Sequence, residues 1–215
     1  MHRRFALRDE KLSSPRIWYN AGMKNANELP VISFETAQNW EAWLNEHHAD
    51  IKGVWLKIAK KGTRIPSVSY AEALDSALCY GWIDGQKASF DDTYWLQKFT
   101  PRGPKSMWSK INCDKVAALM AEGRMQPAGI RQVELAQADG RWDLAYDSQS
   151  KITMPADLQL ELDKNQEAQD FFNTLNSVNR YAILRRIQIA KKPETRAALI
   201  QKYVEMLSNH QKLYP

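Results

Sequence analysis

The chain has 215 residues, 44% hydrophobic and 26% charged, with a net charge of +5. That length buries the core of one domain, or of one domain with a small appendage. The composition is that of a soluble globular protein, and no apolar run approaches the roughly 20 residues that span a bilayer. The positive charge is uneven. Arg3, Arg4, Arg8, Lys11 and Arg16 face only Asp9 and Glu10 in residues 1–22, and a second basic concentration lies in residues 178–215. The balance near neutrality between them removes the charge argument for a wholly nucleic-acid-binding chain.

Residues 1–28 read as a disordered arm, or as an over-extended start with Met23 as the initiator. Asp9, Glu10 and Lys11 interrupt any apolar signal region. A first helix is predicted from about Glu35 to His48, capped by Ser33, with Ala37, Trp40 and Leu44 at helical spacing. Val54, Leu56 and Ile58 then alternate with Trp55, Lys57 and Ala59, a strand pattern. Ser69 and Glu72 form a capping box for a helix that ends near Gly81. Strands at Gln86–Phe90 and Tyr94–Thr100 form a hairpin through Asp91 and Asp92, stopped by Pro101 and Pro104. Helical patterns follow from Ser109 to Gly123 and from Pro127 to Gly140. A connector at 141–152 is anchored by Trp142 and Tyr146.

The last third reads as four short helices opened by Pro155, Asn165, Ser177 and Pro193. The fold class is therefore α+β, mostly helical with a small antiparallel sheet, plus a C-terminal helical subdomain. The domains are a core at 29–150 and a helical domain at 151–215.

Dinucleotide, P-loop, zinc-protease and nucleophile-elbow motifs are absent. Cys79 and Cys113 belong to no CxxC pair, and His47 and His48 close a helix, where a cation suits the dipole. No cofactor or metal is expected. Two lone thiols without a signal peptide indicate a cytoplasmic setting.

The stretch from Gly81 to Asn112 holds Trp82, Trp95 and Trp108 among Asp84, Lys87, Lys98, Arg102, Lys105 and Lys110. Its segments ALCYGWIDGQ and TPRGPKSMWSKIN, with GRMQPAG and DGRWD, resemble the YdeI/OmpD-associated, or bacteriocin-protection, family. The C-terminal RYAILRRIQIAKKPETRAALIQKYVEML is similar to that family's helical domain, AKKPETR at 190–196 being its clearest signature. The resemblance covers roughly residues 30–210. It implies a role in bacterial tolerance of bacteriocin or envelope stress, and brings no catalytic residues with it.

The candidate ligand site is Trp82, Asp84, Arg102, Lys105, Ser106, Trp108 and Ser109. Arg102 offers a planar fork for an anion and Lys105 a point charge. Ser106 and Ser109 lie where a helix N-terminus receives anions. Trp82 and Trp108 present faces for stacking. The same residues also read as core tryptophans and turn hydrogen bonds. Three functions stay open. One is a non-enzymatic protection protein that binds a small anionic ligand or a protein partner through residues 82–112. The second is an enzyme on an anionic substrate with Asp84 as base. The third is a nucleic-acid binder using the basic region 185–196.

Overall fold

A capping box opens the second helix of this chain, and most other element boundaries follow equally local signals. The computed structural model describes residues 16–18, as backbone, and 29–215. The predicted arm, with the choice between Met1 and Met23, otherwise lies outside the described residues. The elements in chain order are β1 (Arg16–Trp18), β2 (Val31–Ser33), α1 (Ala37–His47), β3 (Val54–Ala59), α2 (Tyr70–Cys79), β4 (Trp82–Ser89) and β5 (Tyr94–Pro101). There follow α3 (Lys110–Ala121), α4 (Pro127–Ala138), α5 (Ala156–Asp163), α6 (Gln166–Thr174), α7 (Ser177–Gln188) and α8 (Pro193–Ser208). The class is α+β, as expected.

The described chain groups into two compact units, one of residues up to 104 with 119–132, the other of 105–118 with 133–215. The first contains a five-stranded sheet in the order β1-β2-β3-β5-β4. The sheet is mixed rather than purely antiparallel, because β2 pairs parallel to β3. Helix α1 lies between these two strands in sequence, and only such a crossover lets consecutive strands run the same way. Ser33 belongs to β2 and does not cap α1. Thr36 does so, its hydroxyl accepting from the Asn39 amide at 3.2 Å. The predicted capping box of α2 is present in full, Ser69 and Glu72 each bonding the other's backbone amide. The hairpin turn is held by Asp91, whose Oδ1 accepts from the Thr93 and Tyr94 amides at 2.8 and 2.7 Å.

Val54, Leu56 and Ile58 turn into the core, and Trp55, Lys57 and Ala59 lie on the opposite face of β3. The core of this unit is aromatic. Trp40 stacks on Trp43 with centroids 5.3 Å apart, and Trp82 meets both edge-on at 6.4 and 6.2 Å. Phe34 and Phe99 close the cluster at 5.3 and 5.8 Å from Trp40. Where α2 ends, Gly81 takes a φ of +75°. At Gly129 of α4, an added Cβ meets the Cys79 carbonyl oxygen at 2.2 Å.

The second unit has its own apolar core, in which Leu158, Leu162, Phe172, Ile183, Ile187, Tyr203 and Leu207 are buried together. Asn176, not Ser177, caps α7, accepting from the Asn179 amide at 2.9 Å. Arg196 joins three of the helices. Its guanidinium donates to both Asp157 oxygens of α5, at 2.5 and 2.8 Å, and to the Ile187 carbonyl near the end of α7 at 2.7 Å.

Two outcomes follow. Gly129→Ala drives a methyl group into backbone that cannot swing aside, costing about 2–3 kcal/mol and roughly 5–10 °C of thermal midpoint; an unchanged midpoint refutes the close approach. Arg196→Met removes the Asp157 pair. The hydrogen bond from Arg196 holds the Asp157 carboxyl below its ordinary range. The pair therefore stabilises the fold above the unfolded carboxylate value near 3.9, and that stabilisation is lost as pH falls through the folded value. Asp157 is 45% exposed, which limits the pair to about 1 kcal/mol. Urea midpoints of wild type and variant should differ at pH 7 and draw together as pH falls below the unfolded carboxylate value; a pH-independent gap shows that the charge pair contributes nothing.

Candidate functional site

The seven residues singled out in the sequence divide between the units. Trp82, Asp84 and Arg102 belong to the first, and Lys105, Ser106, Trp108 and Ser109 to the second. Trp82 is 1% exposed, and its indole N–H donates to the His48 carbonyl at 3.1 Å. Arg102 is buried, with its amide donating to the Gly81 carbonyl at 3.0 Å. Trp108 is buried against Trp142 at 4.9 Å. The Ser106 carbonyl accepts from Arg141 at 2.9 Å, and the Ser109 hydroxyl caps α3 by accepting from the Asn112 amide at 3.2 Å. Lys105 is exposed. Both candidate tryptophans thus occupy cores, Ser109 caps a helix, and Ser106 anchors Arg141 through its carbonyl.

Asp84 stands in different company. The sheet register places it on the core face of β4, opposite Phe99. A bulge then follows, with the β4–β5 register shifting between Asp84 and Lys87. Gln97, wholly buried on β5, donates its Nε2 hydrogens toward the Gly85 and Gln86 carbonyls at 2.9 and 3.3 Å, and so pins the extra residues. Beyond the bulge Lys87 returns to the face that carries Trp95, and the first residue of α2, Tyr70, covers this end of it.

The result is a small constellation in one unit. The Tyr70 hydroxyl donates to Asp84 Oδ2 at 2.8 Å. The Tyr70 and Trp95 rings lie 6.2 Å apart. The exposed Lys87 ammonium stands 5.3 Å from the centroid of each. Burial, followed by the charge and the hydrogen bond of Asp84, drives the Tyr70 phenol well above its ordinary range. Tyr70 therefore remains a hydrogen-bond donor at neutral pH, and Asp84 its acceptor.

Cations on the opposite face are arranged otherwise. Lys57 lies over Tyr94 and Phe90, at 4.0 and 4.4 Å, and also 3.9 Å from Asp91. Lys98 lies 6.0 Å from the centre of Trp55. Lys87 forms no ion pair with any described residue, and it stands on the edge strand. A cation held by two π faces keeps its charge available to an incoming anion. Sequence reasoning included Lys87 in the charged stretch but left it, Tyr70 and Trp95 out of the site. The signal that finds them is the period-2 spacing across the hairpin, corrected by one bulge.

The basic region 185–196 is largely engaged in the helical unit. Arg185 stacks over Tyr146 at 4.0 Å, Arg186 donates to the Tyr214 hydroxyl at 3.1 Å, and Lys191 donates to the Asp139 carbonyl at 2.7 Å. Arg196 has the contacts given above.

A mixed-sheet α+β unit joined to an α-helical unit is the class of protein that this chain represents. Among the described residues no helix is long and apolar enough to cross a membrane. Residues 151–210 match the model of the bacteriocin-protection, YdeI or OmpD-associated family, and the chain carries a domain of that family there. Residues 32–132 match a separate model, that of a domain of unknown function (DUF8412). The likeness drawn across residues 30–210 is thus shown for this family over its C-terminal part. Neither a curated protein nor a solved structure matches the chain. The family domain associates the protein with bacteriocin protection.

Proposed function

We propose that the protein serves bacteriocin protection as a non-enzymatic binding protein, and that an anionic group docks at the hairpin beside Lys87. The observation that carries this reading is the placement of an exposed lysine, without an ion pair among the described residues, over two aromatic rings on an edge strand. The rings supply apolar area for the body of the ligand, the ammonium supplies its counter-charge, and the Tyr70–Asp84 bond fixes one ring in place. In this cluster Asp84 serves as the acceptor of the Tyr70 hydroxyl, and no nucleophile stands beside it among the described contacts. Cys79 and Cys113 form no disulfide, in keeping with the cytoplasmic setting that belongs to this reading.

Phenyl phosphate combines the two features that the constellation should recognise. Titrating it while following tryptophan emission should give saturable quenching. Lys87→Ala should weaken binding about tenfold, the loss of one charge-assisted hydrogen bond of roughly 1.5 kcal/mol. At equal protein abundance, Lys87→Glu should also abolish protection of cells challenged with bacteriocin. Equal affinity in Lys87→Ala, or full protection by Lys87→Glu, removes the hairpin from the function.

A further inference from the structure

The helical unit contains a cavity of about 410 Å³ at the start of α3, lined among others by Lys110, Asp114, Trp142, Asp143, Asp147 and Lys151. From its geometry we infer a second binding site, for a small organic cation bearing an ammonium or guanidinium group. The size lies within the range of small-molecule sites, roughly 300–1,000 Å³.

Its walls are tied down by residues that the sequence had marked for another purpose. Ser109 caps α3, which fixes the direction in which Lys110 and Asp114 leave the helix one turn apart. The Lys110 amide donates to the Tyr146 carbonyl at 2.9 Å, and the Tyr146 amide donates to the Trp108 carbonyl at 3.0 Å. This pair of bonds locks the 145–147 segment beside the helix start. Buried Trp108 meets the Trp142 ring at 60°, and Trp142, half-buried, gives the cavity an aromatic wall. Arg141, next to it, is anchored by the Ser106 carbonyl and Asp139.

The charges decide the ligand class. Three carboxylates and two lysines line the cavity, so its balance is negative. Of the two lysines, only Lys110 forms an ion pair with a described residue. Lys110 bonds Asp147 at 2.9 Å, and Gln188 also donates to Asp147. Lys151 adds its field to the same group, and together these hold the Asp147 carboxyl below its ordinary range. Asp114 and Asp143 are exposed and form no ion pair with a described residue. Two uncommitted carboxylates beside an indole face attract a cation by charge and by the ring quadrupole, and repel an anion. The site is independent of the hairpin, since no residue is shared.

The test uses the full chain, with agmatine as the cation and glutarate as an anion of similar length. In amide-resolved NMR, agmatine should give saturable shifts at residues 110–114 and 142–151, and glutarate none there. Asp114→Asn with Asp143→Asn should weaken agmatine at least tenfold at an unchanged thermal midpoint, since both side chains are exposed. Trp142→Phe, which keeps an aromatic wall, should weaken it only a few-fold. Lys87→Ala should leave agmatine binding intact, separating this site from the hairpin. Absent or unsaturable shifts, equal affinity in the double variant, or glutarate binding at these residues overturns the proposal.

Discussion

The indole cluster of Trp40, Trp43 and Trp82 is the constraint on which the sheet unit depends. Three tryptophans cannot be buried together unless each N–H is satisfied or reaches water, because an orphaned donor costs about 1–3 kcal/mol. Trp40 donates to the Ala73 carbonyl of α2, and Trp82 to the His48 carbonyl just after α1. The first bond ties α1 to α2, and the second ties the end of α1 to β4. Packing and polar satisfaction thus specify the same arrangement, the kind of agreement that singles out one fold.

Anchoring β4 at Trp82 has a consequence for its other end. The strand leaves the core at Asp84, bulges over Gly85 and Gln86, and reaches the exposed Lys87 within a few residues. A bulge and a lysine on an edge strand also oppose edge-to-edge pairing with other chains. The features that make the edge safe therefore also present a cation between two rings. The hairpin is held at its core end by Trp82 and at its turn by Asp91.

What the sequence made legible was local. The Ser69–Glu72 box, the Asp91 turn, the Pro127 start and the alternation of Val54, Leu56 and Ile58 each rest on contacts within a few residues, and each is present. Strand β2 was missed because three residues carry no period, and its parallel partner lies beyond a helix. The start of β4 was set four residues late because a bulge breaks the alternation that reveals a strand. Trp82 and Trp108 were ambiguous for a further reason. An indole looks alike in sequence whether its face meets solvent or other rings, and its neighbours here, Trp40 and Trp142, lie 42 and 34 residues away. The Tyr70–Asp84 bond spans two elements in the same way.

The AKKPETR signature serves structure. In the sequence the cations of 185–196 fit either nucleic-acid phosphates or solvated helix faces. In the fold, Pro193 starts α8, Glu194 sits in the first turn where the helix dipole favours an anion, and Arg196 reaches two other helices. Lys191 is bonded to a backbone carbonyl. A cation whose donors are already turned inward offers little to a phosphate, because binding has to break one charge-assisted contact to make another. Lys87 escapes this exchange, since π faces orient it without using its hydrogen-bond donors. That difference, rather than the local density of positive charge, distinguishes a cation available for binding from one that holds the fold together.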